Sequence, residues 1–285
     1  MTRVAAARHR HFNHDRLTVI EPRRHWQILD WRELWAYREL LGVLTLRDVK
    51  VRYKQTVLGV GWAILRPLTT MVIFTVVFGR MARLPSDGYP YTAFVYAALL
   101  PWTFFAAAVS ASAQSLIGSG HLVSKVYFPR ILIALSSIGA CLVDLLVSCA
   151  LFVPLMLWYQ IGWSWNMVAA PLLIASVVVA ALAVGTFLSA LTVSYRDFTH
   201  ITPFIVQIWM YVTPVVFSAS MVPDRWQWLL YVNPMTAIVE GFRSVLLGSP
   251  FDIKSLMVSI AVSLLMLCAG LAYFDHVERR FADVI

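Results

Sequence analysis

Six apolar stretches, near residues 57–79, 91–113, 131–158, 167–193, 201–219 and 255–274, constrain this 285-residue chain more than any other feature. Each approaches or exceeds the roughly 20 residues that a helix needs to cross about 30 Å of hydrocarbon. A membrane β-barrel would instead show segments of about ten residues alternating strictly between apolar and polar, and these runs are continuous. Composition agrees: 60% of the residues are hydrophobic and 13% are charged, against about 25% charged in soluble domains. The expected fold is an all-α integral membrane protein of six transmembrane helices.

The basic residues give the expected orientation. The first 56 residues carry twelve Lys or Arg against six acids, with no apolar core where a cleavable signal would need one. The amino terminus is therefore expected in the cytoplasm, and six spans return the carboxyl terminus to the same side. Inner segments then hold 17 of the 23 Lys and Arg, while Arg80, Arg83, Arg225, Arg243 and Lys254 lie outside and Arg66 sits within the first span. That asymmetry obeys the positive-inside rule. It also assigns the net charge of +8 to contact with anionic lipid rather than nucleic acid. Cys141, Cys149 and Cys268 all fall in spans and read as small packing residues.

Four regions follow by composition: a flexible tail over 1–30, an amphipathic interfacial helix over 31–56, the six-span domain over 57–275, and a second cytoplasmic tail over 276–285. The histidines of Arg8-His9-Arg10-His11 lack accompanying acids or cysteines, so no metal site is expected there. In the interfacial helix, Trp31, Leu34, Trp35, Leu41 and Leu44 recur at helical spacing among Arg32, Arg38, Arg47, Lys50, Arg52 and Lys54. Such a helix either anchors the amino terminus or brings its basic end against an anionic lipid head group such as a diphosphate. The cytoplasmic loop from Gln114 to Arg130 has two cations, no acids, and Gly118 and Gly120 ahead of a short amphipathic piece. It is either a connector or a docking element.

Between the fifth and sixth spans, Pro223, Pro234 and Pro250 divide two pieces too short to cross, 226–232 and 235–247, which read as short outer re-entrant or interfacial helices. Trp226, Trp228 and Tyr231, with Trp158, Tyr159, Trp163 and Trp165, suit an outer aromatic belt. Within the spans, Asp144 must face protein or water, because a charged Asp at a helix centre costs about 2.5–3.5 kcal/mol. It is either a structural acid or part of a permeation path. Arg66, followed by Pro67, is placed to snorkel towards the cytoplasm. Trp102, Phe104, Phe105, Trp209 and Tyr211 lie deep in spans, where they pack or offer flat faces to sugar rings.

No catalytic motif is present: the sequence has no GxxxxGK[ST] phosphate loop, no HExxH and no GxSxG. A membrane glycan polymerase or ligase would gather ionisable residues in a large outer loop, and the outer segments supply only Asp87, Asp224, Glu240 and Asp252 as acids. The chain reads as a transport subunit, not an enzyme.

Four segments together resemble one family, the membrane subunits of type-2 ABC exporters that move polysaccharides and teichoic acids across bacterial inner membranes. The strongest is LRDVKVRYKQTVLGVGWAILRPL (Leu46 to Leu68), with its Arg-Asp pair, basic Arg-Tyr-Lys stretch, Leu-Gly, Trp and Pro. LVSKVYFPR (Leu122 to Arg130), SYRDFTHITPFIVQIWMYVTPVVFS (Ser194 to Ser218) and VNPMTAIVEGFRSVLLG (Val232 to Gly248) follow in the family's order.

The resemblance implies a homodimer of six-span subunits in the bacterial inner membrane, each docking a separate cytoplasmic ABC ATPase subunit, two copies in all, which binds the ATP and Mg. It implies that the Gln114 to Arg130 loop is the coupling helix, with Gly120, His121, Leu122, Val123, Lys125 and Phe128 contacting the ATPase. The 31–54 helix becomes a gate-like helix, with Arg47, Lys50, Arg52 and Lys54 meeting the diphosphate of an undecaprenyl-linked glycan such as O-antigen. The polymer path implied lies between the first and fifth spans of the two subunits, with Trp102, Phe105, Trp209 and Tyr211 along it. A permease for a drug or another small hydrophobic molecule is the alternative.

Overall fold

The computed structural model describes residues 31–54, 61–123 and 128–278, and every regular element among them is helical. The expected tail over 1–30 lies outside the described residues, as do 279–285. The chain opens with α1 (Trp31–Ala36) and α2 (Arg38–Tyr53). Then come α3 (Gly61–Phe74), extended by a wider π-helical turn over Thr75–Met81, α4 (Tyr91–Gly118) and the single turn α5 (Gly120–Val123). After them stand α6 (Ile131–Trp158), α7 (Ala170–Ser194) and α8 (Phe198–Val212). The chain closes with α9 (Gln227–Val232), α10 (Pro234–Leu247) and α11 (Ile253–Glu278).

Among the described residues, five helices are long and apolar enough to cross a membrane: Gly61–Met81, Tyr91–Gly118, Ile131–Trp158, Trp165–Ser194 and Ile253–Glu278. The sixth expected crossing, 201–219, departs from that pattern. Helix α8 has 15 residues, about 22 Å at 1.5 Å per residue, and stops at Val212. The cause is local. Thr213 precedes Pro214, whose ring disfavours the helical region for the residue before it, and Thr213 is extended at φ −92°, ψ 137°.

Burial explains the arrangement of the crossing helices. Helix α4 is apolar on all sides and forms the centre, with 78% of its apolar window buried, whereas α3 at the edge has 11% buried. Small residues let neighbouring backbones approach. A Cβ added at Gly270 of α11 would sit 2.9 Å from the carbonyl oxygen of Ala183 on α7, and one at Gly185 of α7 would sit 2.9 Å from the Ser112 side chain of α4. Gly270→Leu is therefore expected to destabilise the protein by about 1–3 kcal/mol, because a backbone atom cannot rotate aside. Gly42→Leu, inside α2 with open space around it, is expected not to destabilise and serves as the control in thermal unfolding of the detergent-purified protein.

Two apolar clusters result. The larger one joins α4, α6, α7 and α10 through residues such as Phe94, Phe105, Cys141, Leu173 and Ile238. The smaller one sits at the other end of the molecule, where Leu44 of α2 meets Leu116, Phe128, Leu132, Val193 and Phe274. The amphipathic pattern in 31–54 is thus realised on the protein itself: Leu34, Leu40, Leu41 and Leu44 pack into this cluster, while Trp35 is exposed.

Candidate functional site

Helix α2 places Thr45, Asp48 and Arg52 on one face by their spacing of three and four residues, and that face meets α6. Gly139 makes the close approach possible, since a Cβ there would come within 3.1 Å of the Thr45 methyl group. The Ser136 hydroxyl donates to Asp48 Oδ2 at 2.8 Å, and Arg47 Nη2 donates to Asp48 Oδ1 at 2.8 Å. One turn later, Arg52 Nη1 donates to Asp144 Oδ2 at 2.5 Å and its Nη2 to Cys141 Sγ at 3.3 Å. The Tyr53 hydroxyl donates to the other Asp144 oxygen. Burial first, and the Asp144 hydrogen bond second, push the Tyr53 phenol up to about 12, so it keeps its proton at neutral pH.

This clamp accounts for the acid in the third apolar stretch. Asp144 is partnered, and its partners come from the interfacial helix rather than from another span. The pair is about one-third exposed on each side, so its worth lies in fixing where α2 ends more than in stability. Of the four cations expected to meet a diphosphate, Arg47 and Arg52 face carboxylates of the protein, while Lys50 and Lys54 are exposed. Arg52 also lines a cavity of about 480 Å³ with Trp62, Arg66, Trp102, Asp144 and Met210. Arg66 lies over the Trp62 ring, 5.8 Å from its centroid.

The expected coupling element follows directly on α4. Gly120, His121, Leu122 and Val123 form α5, with His121 exposed and Leu122 packed on the small cluster. Phe128 is 7% exposed in that cluster, beside Leu44. Lys125 lies outside the described residues. Arg130 Nη1 donates to the Glu278 carbonyl at 2.5 Å, which ties the end of this loop to the end of α11.

The four aromatic residues expected along a path occupy different settings. Phe105 is wholly interior, 5.2 Å centroid to centroid from Trp209 in an edge-on contact and 5.7 Å from Trp102. Trp102 is buried at the floor of the cavity just described. Trp209 is half-buried, and its Nε1 donates to Asn233 Oδ1 at 2.9 Å. Tyr211 is exposed on α8. Trp209 and Asn233 thus fasten α8 to the start of α10.

One residue at the opposite end adds to the sequence reading. Arg243, counted among the outer cations, is 2% exposed and lies inside the protein. Its guanidinium stacks on Phe94 at 3.7 Å, donates to the carbonyls of Val215 at 2.9 Å and Phe217 at 3.4 Å, and meets Glu240 Oε1 at 2.8 Å. Tyr91 donates to the Val216 carbonyl at 2.7 Å. The carbonyls of Val215, Val216 and Phe217 lie beyond the end of α8, and these side-chain donors supply the hydrogen bonds that buried irregular backbone requires. The signal was present in sequence as a Glu-x-x-Arg pair within an apolar piece.

Around the same end, Asp87, Ser218, Thr236, Glu240 and Asp252 line a second cavity of about 540 Å³. Hydrogen bonds from Ser255, foremost that of its hydroxyl, hold the Asp252 carboxyl below its usual range and keep it ionised.

A family model described as ABC-2 type transporter matches residues 39–247. An O-antigen export system permease protein RfbA of Klebsiella pneumoniae is 26% identical over 251 residues, covering 87% of this chain and 95% of that protein. The protein of the same name from Myxococcus xanthus is 29% identical over 257 residues, covering 89% and 98%. The polysialic acid transport protein KpsM of Escherichia coli is 22% identical over 242 residues, covering 83% and 92%.

Proposed function

We infer the function from one premise: the chain belongs to the ABC-2 type transporter family, whose model spans the stretch from the interfacial helix to the end of α10. It is the permease of an ABC exporter, embedded in the inner membrane by several crossing helices, and it acts on polysaccharide of the O-antigen kind. The observation that carries this reading is coverage, since O-antigen export permeases align along 87–89% of the chain.

In finer detail, the cargo is a glycan carried on undecaprenyl diphosphate, and two copies of this chain form the path for it. ATP and Mg are held by two separate ABC ATPase subunits. Support for the dimer comes from α3 and α8, whose apolar faces are largely uncovered in one copy. Helix α8 together with the buried 213–218 segment makes the sixth crossing, and α9 and α10 are the re-entrant pieces, with both termini cytoplasmic. Lys50 and Lys54 are the free cations at the basic end of α2, available to a diphosphate at the membrane surface.

The small apolar cluster supplies the transmission. The ATPases close and press on α5; Leu122 and Phe128 share one cluster with Leu44, so the push reaches α2. Helix α2 then moves against α6, where the Arg52, Tyr53 and Asp144 clamp must loosen.

Cells lacking this gene are expected to accumulate lipid-linked polymer on the inside; unchanged surface polymer would overturn the export reading. A His121→Asp, Lys125→Asp double variant is expected to cut co-purification of the ATPase about tenfold at equal amounts of folded permease. Undiminished co-purification would remove α5 from the docking surface.

A further inference from the structure

Helix α8 presents two exposed columns side by side. His200, Phe204, Gln207 and Tyr211 recur at spacings of four, three and four residues and are all exposed, so they run along one face. Ile201, Ile205, Ile208 and Val212, each one residue further on, are exposed too and form a second column about 100° round the helix. Thr202 and Val206 are buried and Trp209 is half-buried on the remaining side, where α8 packs on α4 and α7. One uncovered column is therefore aliphatic throughout, whereas the other carries an imidazole, two aromatic rings and an amide over about 16 Å.

The amide narrows what covers its column. Gln207 stands between Val206 and Ile208 in the interior of α8, and it has no hydrogen-bond partner among the described residues. In hydrocarbon its two N–H donors and its carbonyl would go unpaired, at a cost that excludes lipid as the lasting neighbour. Helix α8 contains no Lys, Arg, Asp or Glu, so the neighbour is not drawn in by net charge. A second copy laid on this column would bury His200 and Gln207 among rings, and the aliphatic column beside it offers that copy an apolar seam without such a cost. A neutral partner with both hydroxyls and apolar faces matches the amide and the rings together.

We propose that Gln207 is a specificity-determining residue of the polymer path, the central hydrogen-bonding contact of a track of His200, Phe204, Gln207 and Tyr211 along which the glycan slides. The proposal rests on the reading of the chain as a polysaccharide permease with α8 in its sixth crossing, and it names the face of α8 that the polymer touches. Sugar hydroxyls donate and accept, as the Gln207 amide does, while apolar C–H faces lie on the Phe204 and Tyr211 rings. Every contact is neutral and weak, so a sugar leaves the track as readily as it enters, which passage along a pore requires. Of the aromatic residues expected along the path, Tyr211 stands on this track. Trp209, bonded to Asn233, belongs to the packed face.

The test uses the full-length chain with its ATPase in cells that make the polymer. Benzoylphenylalanine, which inserts into nearby C–H bonds on illumination, is placed at position 204 or 211 on the track and at position 205 or 208 on the aliphatic column. The track positions are expected to capture polymer, and the aliphatic positions to capture the second copy or lipid. Gln207→Leu removes the amide at similar size and is expected to cut surface polymer about fivefold, with thermal unfolding of the purified permease as in wild type. Gln207→Asn, which keeps an amide, is expected to retain most of the export, and Ile208→Leu all of it. Capture of only the second copy or lipid at 204 and 211 overturns the track, as does wild-type export by Gln207→Leu or a loss of export matched by a loss of folded permease. If cells lacking the gene still accumulate polymer in any of those cases, the track fails alone and the export reading stands.

Discussion

Replacing Arg243 with methionine is expected to abolish export and to cost the permease about 3–5 kcal/mol, the range seen when one partner of a buried ion pair is removed. Methionine fills similar space but donates nothing. The carbonyls of Val215 and Phe217 would lose their donors, and Glu240 would lose its counter-charge. Arg243→Lys is expected to fail nearly as badly, because one ammonium cannot reach Val215, Phe217 and Glu240 in the directions that a planar guanidinium reaches them. Lys254→Met, at an exposed outer cation, should change neither property. Thermal unfolding in detergent and surface polymer in cells are the two measurements. An Arg243→Met protein with wild-type unfolding would remove the arginine from the role assigned to it.

The second large effect is expected at the clamp between α2 and α6. Arg52→Asp would bring two carboxylates together where Arg52 and Asp144 now stand 2.5 Å apart. Two unit charges about 4 Å apart near a protein surface interact by about 4 kcal/mol, which solvent reduces at this partly exposed site. Export is expected to fall at least about tenfold as α2 is pushed from α6. Asp144→Arg alone is expected to do similar harm by pairing two cations. The double exchange restores opposite charges and is expected to recover a large part of the activity, which a merely disruptive pair of substitutions would not. A double variant as poor as either single one would show that the charges do not act as a pair.

These sites differ in how far they could be read from sequence. The spans over 91–118, 131–158, 165–194 and 253–278 were legible because length and continuous apolarity decide them with no knowledge of neighbours. The break after Val212 was legible in principle from Thr213-Pro214, but the apolar run through Val215 and Val216 masks it, since hydropathy does not register a lost backbone hydrogen bond. Asp144 could be recognised as needing a partner. Which partner could not, because Arg52 lies 92 residues earlier, outside any window that periodicity covers.

The burial of Arg243 was hidden for a related reason. Counting cations between spans assumes that each one faces water, whereas this one is buried by Phe94, from a helix 149 residues away in the chain. The short turn after α4 was more legible than either. Gly118 and Gly120 flank the break between α4 and α5, and Phe128 was readable as apolar, yet only the fold places it in one cluster with Leu44.

The short α8 also sets an order of events during synthesis. A helix of about 22 Å followed by irregular backbone, whose Val215, Val216 and Phe217 carbonyls take their donors from Arg243 and Tyr91, has no stable place in lipid by itself. Its missing donors sit on Arg243, about thirty residues after the end of α8, and on Tyr91, made long before. At 5–20 residues per second, the ribosome supplies that arginine on the order of seconds later. Until then the nascent segment must stay sheltered by the insertion machinery or by α4. On the proposed reading of α8 and 213–218 as a sixth crossing, the step that completes it is the folding back of α10, and the membrane receives α8, the 213–218 segment and α10 as one unit instead of as successive helices.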